Sequence, residues 1–225
     1  MKHGFFVTGT DTGVGKTLVS AALVYKLVQA SLRAAGMKPV AAGCVIRNGR
    51  LVSDDVEQLC AAGNATLAPD VANPYAFEPA LAPHIAARQA GVVIELMAVR
   101  EAFMAAAQEV EALVVEGVGG FRVPLNDIED TADMAVLLGL PVILVVGMRL
   151  GCLNHALLTA EAIASRGLVL AGWVANRVDP AMSAFEDNLA ALCQRLSAPC
   201  LGVLPHLEAA DFQAAAGHLD ISAIR

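Results

Sequence analysis

The segment Gly9-Thr10-Asp11-Thr12-Gly13-Val14-Gly15-Lys16-Thr17 constrains this chain more than any other. It follows a short apolar run, Phe5-Phe6-Val7, and leads into a stretch from Lys16 to Gln29. There Leu18, Ala21, Ala22, Tyr25 and Val28 recur at helical spacing. A strand that passes through a glycine-rich loop into a helix turns successive backbone N–H groups inward, and the helix start adds partial positive charge. Gly13 and Gly15 let the backbone approach an anion with no Cβ in the way. Lys16 can reach the β- and γ-phosphates, and the Thr17 hydroxyl can ligate Mg²⁺. The loop therefore predicts a magnesium–nucleoside triphosphate site. One detail departs from the common G-x-x-x-x-G-K-S/T spacing: the residue five before Gly15 is Thr10, and the first glycine lies one place earlier, at Gly9.

A dinucleotide site fits less well. It would want a third glycine near position 18 and an acid at the end of the second strand, where the chain has Leu18 and Lys38. Two carboxylates are placed to help a metal that prefers six oxygen ligands and takes few of them from protein. Glu116 ends the apolar run Leu113-Val114-Val115 and precedes Gly117-Val118-Gly119-Gly120, which puts an acid at the carboxyl end of a strand. In open α/β sheets that edge carries the ligand. Asp55 follows Ser53-Asp54 at a helix start, where it is either a first-turn charge or a second metal ligand. Lys38, in Gly36-Met37-Lys38-Pro39-Val40, is a charge inside an apolar stretch. It is either a solubilising residue or a cation set beside the phosphates.

Short apolar runs alternate with helix-like stretches along the rest of the chain. Strands are expected at Gly4–Thr8, Ala112–Glu116, Pro141–Val146, Ala171–Asn176 and Cys200–Leu204, and helices at Thr131–Leu138, Asn154–Arg166 and Ala184–Leu196. Unbroken Val/Ile/Leu runs, rather than alternation, mark strands covered on both faces. The pattern is that of an α/β fold with a mostly parallel central sheet and helices on both faces, in a single domain of residues 1–225. Asn64–Ala82 reads as irregular, because Pro69, Pro74 and Pro79 interrupt any helix. It is either a surface loop or a wall of the substrate pocket.

Composition narrows the partners. No apolar run reaches the roughly 18 residues of a membrane span, and no apolar signal core follows Met1-Lys2-His3-Gly4, so a soluble cytoplasmic protein is expected. The formal charge of −7 disfavours a nucleic-acid surface. Five cysteines with no C-x-x-C pair, and scattered histidines, point to free thiols rather than disulfides or zinc.

With these residues in hand, the chain resembles the dethiobiotin synthetases, the ATP-dependent ring-closing enzymes of biotin synthesis. The likeness rests on Val7 to Thr17, including the displaced first glycine, and on Gly36 to Val40. It extends to Val115 to Gly120, Leu150-Gly151-Cys152-Leu153-Asn154-His155 and Ala171-Gly172-Trp173-Val174-Ala175-Asn176. It implies a P-loop nucleoside-triphosphatase fold and a nucleotide site of Thr12, Gly13, Val14, Gly15, Lys16, Thr17, Leu18, Gly117, Val118 and Gly119. Thr17, Asp55 and Glu116 would serve Mg²⁺, and Lys38 would be the catalytic lysine beside Lys16. Asn176 would read adenine, with Arg177, Pro205, His206 and Leu207 around it. Family members are homodimers with substrate at the interface, so Gly151, Cys152, Leu153 and Asn154 would bind a substrate carboxylate from the partner chain.

The implied chemistry joins an amine of 7,8-diaminopelargonate to CO₂ as a carbamate, whose oxygen attacks the γ-phosphate of ATP. The second amine then displaces phosphate from the carbamic–phosphoric anhydride and closes the ureido ring. Two positions depart from the family pattern: Ala42 stands where a serine or threonine is usual, and Gly13 where some members carry glutamate. A nucleotide-switch ATPase of the partitioning or cell-division type is the rival reading. It would carry a signature lysine early in the loop, where this chain has Thr10 and Asp11. An amide-forming relative with a glutaminase domain needs more chain than 225 residues.

Overall fold

In the computed structural model, which describes residues 1–207 and 209–224, the phosphate loop leaves the middle of a six-stranded sheet. The strands in chain order are β1 (His3–Gly9), β2 (Ala34–Met37), β3 (Val40–Ala42), β4 (Val45–Arg47), β5 (Arg50–Val52), β6 (Tyr75–Phe77), β7 (Ala112–Glu116), β8 (Val142–Gly147), β9 (Leu170–Asn176) and β10 (Cys200–Leu204). The helices are α1 (Lys16–Gln29), α2 (Asp54–Ala62), α3 (Pro69–Ala72), α4 (Pro83–Gln89), α5 (Leu96–Glu109), α6 (Thr131–Leu138), α7 (Cys152–Ser165), α8 (Phe185–Arg195) and α9 (Phe212–Ala216). The large sheet runs β10-β9-β8-β1-β7-β2 and every pairing in it is parallel.

This order explains where the site lies. From β1 the chain goes out to β2 at the edge, returns to β7 beside β1, then crosses to β8 on the other side. Such a reversal opens a crevice at the strands' carboxyl ends. Thr10, Lys38 and Glu116 sit at the ends of β1, β2 and β7 respectively. Three segments far apart in sequence thus converge on one edge.

Alternation along β1 builds the two faces of the core. Phe6 packs with Met37, Val115, Phe103 and Met134 on the α5/α6 side. Phe5 and Val7 pack with Leu23, Leu27 and Ile143 under α1. A third cluster, around Trp173, Leu144 and Leu192, seats α7 and α8. Fully burying side chains of this size is worth about 1.5–3 kcal/mol each. The loop glycines and the buried lysines are therefore held on a rigid frame.

The expected strands and helices agree with the structure to within two residues at their ends; α7, for example, begins at Cys152 rather than Asn154. Asn64–Ala82 differs more. Pro69 opens α3 instead of interrupting a helix, because the first helical position needs no N–H donor. Tyr75–Phe77 forms β6, which pairs in parallel with β3. Among the described residues no helix is long and apolar enough to cross a membrane.

Candidate active site

α1 begins on Gly15, which adopts a left-handed conformation (φ 84°) and gives the helix no side-chain cap. A Cβ there would lie 2.1 Å from the Asn176 Nδ2, so only glycine fits. The first N–H groups of α1 are left to an external acceptor, the arrangement that binds phosphate. Lys16 follows, nearly buried, with its Nζ donating to the Asp11 carbonyl at 3.1 Å. Burial brings its pKa down to about 8, and the nearby Lys38 pulls the same way. Glu116, Asp55 and Asp11 act against that fall.

Glu116 is the electrostatic centre. One of its oxygens, Oε1, accepts from the Thr17 hydroxyl at 2.8 Å and from the Lys38 Nζ at 2.6 Å. The other, Oε2, is buried with no protein partner. Lys38 also donates to the Asp55 carboxylate, so one ammonium bridges two acids. Burial works against the Lys38 charge, but Glu116 and Asp55 outweigh it and hold the pKa above the ordinary lysine value. Burial likewise raises the Asp55 carboxyl, and the Lys38 ammonium more than reverses this, leaving it below the usual range. Both lysines matter, but they differ: Lys38 is fixed by ion pairs, while Lys16 rests on a neutral carbonyl.

These groups line a cleft of about 980 Å³. Of the residues singled out in the sequence, Thr12, Gly13, Gly15, Lys16, Thr17, Leu18, Lys38, Ala42, Asp55, Glu116, Val118, Gly119 and Leu207 meet there. Val14 is buried behind the loop, where its carbonyl accepts from the Asn176 Nδ2 at 2.9 Å. Asn176 itself ends β9, and Gly117 follows the end of β7; neither lines the cleft. The Arg177 guanidinium lies 4.8 Å over the Phe185 ring, and His206 Nδ1 is 3.3 Å from the Arg177 carbonyl. Pro205 likewise stays outside the cleft. So do Gly151, Cys152, Leu153 and Asn154, which open α7, a second helix begun by a left-handed glycine (φ 95°) without a side-chain cap.

The end of the proline-rich segment, Ala80, Leu81 and Ala82, lines the cleft, in line with the second of the two readings of Asn64–Ala82. Sequence reasoning missed Gln58, one turn along α2 from Asp55, Pro83 at the start of α4, and Val123 after β7. No local pattern marks these three, since each reaches the cleft only through long-range closure. Val123, Val118, Ala42, Ala80 and Leu81 give the cleft an apolar lining beside its charged groups.

Comparison with known proteins separates fold from family. A family model described as an AAA domain matches residues 3–214. The MinC:MinD cell division protein complex of Aquifex aeolicus aligns with a TM-score of 0.56 at 15% identity, over 95% of this chain and 86% of that one. A ParA family ATPase from Chlorobium tepidum gives 0.56 at 14% identity, over 92% and 86%. Likeness at that level carries the P-loop fold alone. The ATP-dependent dethiobiotin synthetase BioD of Ralstonia nicotianae is 54% identical over 217 residues, 96% of this chain and 95% of its own. This chain belongs to the dethiobiotin synthetase family. The partitioning-type ATPases are its distant structural relatives. As a dethiobiotin synthetase it has both lysines, both carboxylates and the loop hydroxyl within one cleft.

Proposed function

We propose that this protein catalyses the ATP-driven closure of the ureido ring of dethiobiotin from 7,8-diaminopelargonate and CO₂, with residues 1–225 acting as one catalytic domain. The observation that carries the reading is the placement of Lys38, a buried ammonium 2.6 Å from Glu116 Oε1 and bonded to Asp55, at the mouth of the phosphate loop. Membership of the dethiobiotin synthetase family supports it.

The residues fit Mg²⁺. Thr17, Asp55 and Glu116 supply hard oxygen donors, and the buried unpartnered Glu116 Oε2 is the kind of atom a cation satisfies. With only two carboxylates and one hydroxyl, water and phosphate would complete the shell. Bound there, the metal would neutralise charge on the β- and γ-phosphates.

The chain's own groups do the rest. Lys16 and the open N–H groups of α1 bind the triphosphate. Lys38 lies where a carbamate oxygen would approach the γ-phosphate, and its positive charge also favours the neutral, nucleophilic form of a substrate amine. Negative charge that gathers during phosphoryl transfer is thus met by cations already in position. The apolar wall of Ala42, Val118 and Val123 suits an alkyl chain and keeps water from the anhydride. The Thr12 hydroxyl at the same cleft supplies polarity that Ala42 lacks. Asn176, backed by Arg177 and Pro205 to Leu207, is assigned to the adenine end.

A homodimer belongs to the same proposal, with the start of α7 from the partner protomer binding the substrate carboxylate through its free N–H groups. Leu150, almost wholly exposed beside that helix start, and Leu158 on its outer face are apolar residues that a partner would cover. Cytoplasmic localisation follows from the same substrates.

The test is phosphate release with diaminopelargonate, bicarbonate, Mg²⁺ and ATP, omitting each in turn. Release that requires all four is the expected result. Hydrolysis indifferent to the diamine but raised by DNA or lipid vesicles would assign the chain to the nucleotide-switch class instead.

A further inference from the structure

Asp11 lies in the middle of the phosphate loop with no role in the scheme above, yet it is the loop's most connected residue. Its Oδ1 accepts from the Thr12 N–H at 2.7 Å, and its carbonyl accepts from the Lys16 Nζ at 3.1 Å. Its Oδ2 accepts from the Arg149 guanidinium, which comes from the turn between β8 and α7. Arg149 is tied at its other end as well: its carbonyl accepts from the N–H of Cys152, the first residue of α7, at 3.0 Å. A further bond, Gly147 N–H to Thr10 Oγ1 at 3.4 Å, joins the same two segments.

An ion pair between half-exposed side chains ordinarily contributes little to stability. Here the pair sits differently. One carboxylate and one guanidinium link, side chain to side chain, the loop that carries Lys16 and the turn that starts α7. Both segments begin helices on left-handed glycines with no side-chain cap, so neither helix start is fixed by a side chain of its own. Lys16 depends most on this link, because its hydrogen bond is to the carbonyl of the linked residue itself.

We propose that Asp11 and Arg149 are a positioning pair, which locks the phosphate loop to the β8–α7 turn and so holds the Lys16 ammonium and the start of α7 in one frame. Neither residue touches the reacting atoms; both act through groups that do. The α7 half of the inference rests on the dimer described above. In that dimer the same pair steadies the nucleotide end of one active site and the carboxylate end of the other.

The test compares Arg149→Gln, Asp11→Asn, the double variant and Arg149→Lys in the full-length protein. Asp11→Asn keeps an acceptor for the Thr12 N–H while removing the charge that Arg149 needs. Affinity for Mg²⁺ with the β,γ-imido analogue of ATP is measured by titration, and KM for the diamine and kcat in the ring-closing assay. The expected result is a loss of analogue affinity of about three- to fivefold in each single variant, in keeping with an exposed pair. A similar rise in the diamine KM is expected, with kcat held. The double variant should be no worse than either single, and Arg149→Lys should recover most of the loss.

Unchanged analogue affinity in both single variants would overturn the inference, whatever their melting temperatures. So would losses that multiply in the double variant, since groups acting as one pair do not add. The titration involves no turnover, so a failure of the ring-closing reading would leave this result interpretable, and the reverse also holds.

Discussion

Helices α1 and α6 both carry the chain back from the carboxyl edge of the sheet, and their first turns are finished in opposite ways. α6 closes itself. Asp130 accepts from the N–H groups of Ala132 and Asp133, the Asp133 carboxylate accepts from the Asp130 N–H, and Arg122 and Arg166 pair with the acids. α1 has no such device: Gly15 offers no side chain, and the next two residues are Lys16 and Thr17. A capped start is a structural element, complete in itself. An uncapped start on a left-handed glycine, facing a buried lysine and two carboxylates, is complete only with an anion. Starts without a side-chain cap also occur at α2, α4, α5 and α8; what sets α1 apart is that its open start on a left-handed glycine faces buried charges.

Five measurements test that contrast, and the largest effect is expected at Lys38. Replacing it by alanine should lower ring closure by at least about a hundredfold, as loss of a preorganised charge-stabilising group does. ATP affinity should stay within a few-fold. Product formed at near the parent rate would remove Lys38 from the reaction. Lys16→Gln should weaken ATP binding and turnover together, by roughly tenfold or more, since charged hydrogen-bond partners are worth about 1.5–3 kcal/mol. An unchanged ATP titration would mean that the start of α1 is not the phosphate site.

Gly15→Ala probes the open start directly. Its left-handed backbone costs a non-glycine residue about 1–2 kcal/mol, and the added methyl meets Asn176. A lower urea midpoint together with weaker ATP binding is expected. Asp130→Ala makes the complementary test. Loss of a cap costs typically about 1 kcal/mol, so the urea midpoint should fall while ATP affinity holds. If ATP affinity falls as far as in Gly15→Ala, the two starts are not functionally distinct.

The smallest effect concerns protons. With its pKa down at about 8, Lys16 in the free protein is charged below that pH and neutral above it. A triphosphate favours the charged form. Binding should therefore take up a proton as pH rises past about 8 and weaken there. Binding enthalpies measured in buffers of different ionisation enthalpy would reveal the uptake, and their coincidence at pH 9 would count against it.

How much of this was legible beforehand follows from the range of each interaction. The phosphate loop could be read because strand, glycines, lysine and helix are contiguous. Glu116 could be read because an acid ending an apolar strand is a local signal. Asp55 stayed ambiguous because its position in the first turn of α2 is a local signal, whereas its bond to Lys38 is a long-range one that spacing does not show. The β3–β6 pairing was not legible, since two three-residue strands separated by a proline-rich stretch carry almost no periodicity. Gln58, Pro83 and Val123 became wall residues only through tertiary closure, whereas Ala80 to Ala82 belong to the proline-rich segment, for which a pocket wall is one of the two readings. The two departures from the family pattern, Gly13 and Ala42, both lie in the cleft. A side chain at position 13 would meet open space, but its φ of 74° lies in the region that favours glycine.

The bridge from Lys38 to Glu116 and Asp55 has one more consequence. With Lys16 beside it, the cleft's described residues include two ammonium groups and two carboxylates, whose formal charges cancel. Under the proposed function, binding would exchange partners: Glu116 would turn from lysine toward the cation, and Lys38 from the acids toward phosphate. An exchange of that kind displaces few mobile ions. Its equilibrium should depend only weakly on ionic strength, unlike that of a binding site assembled from unpaired cations.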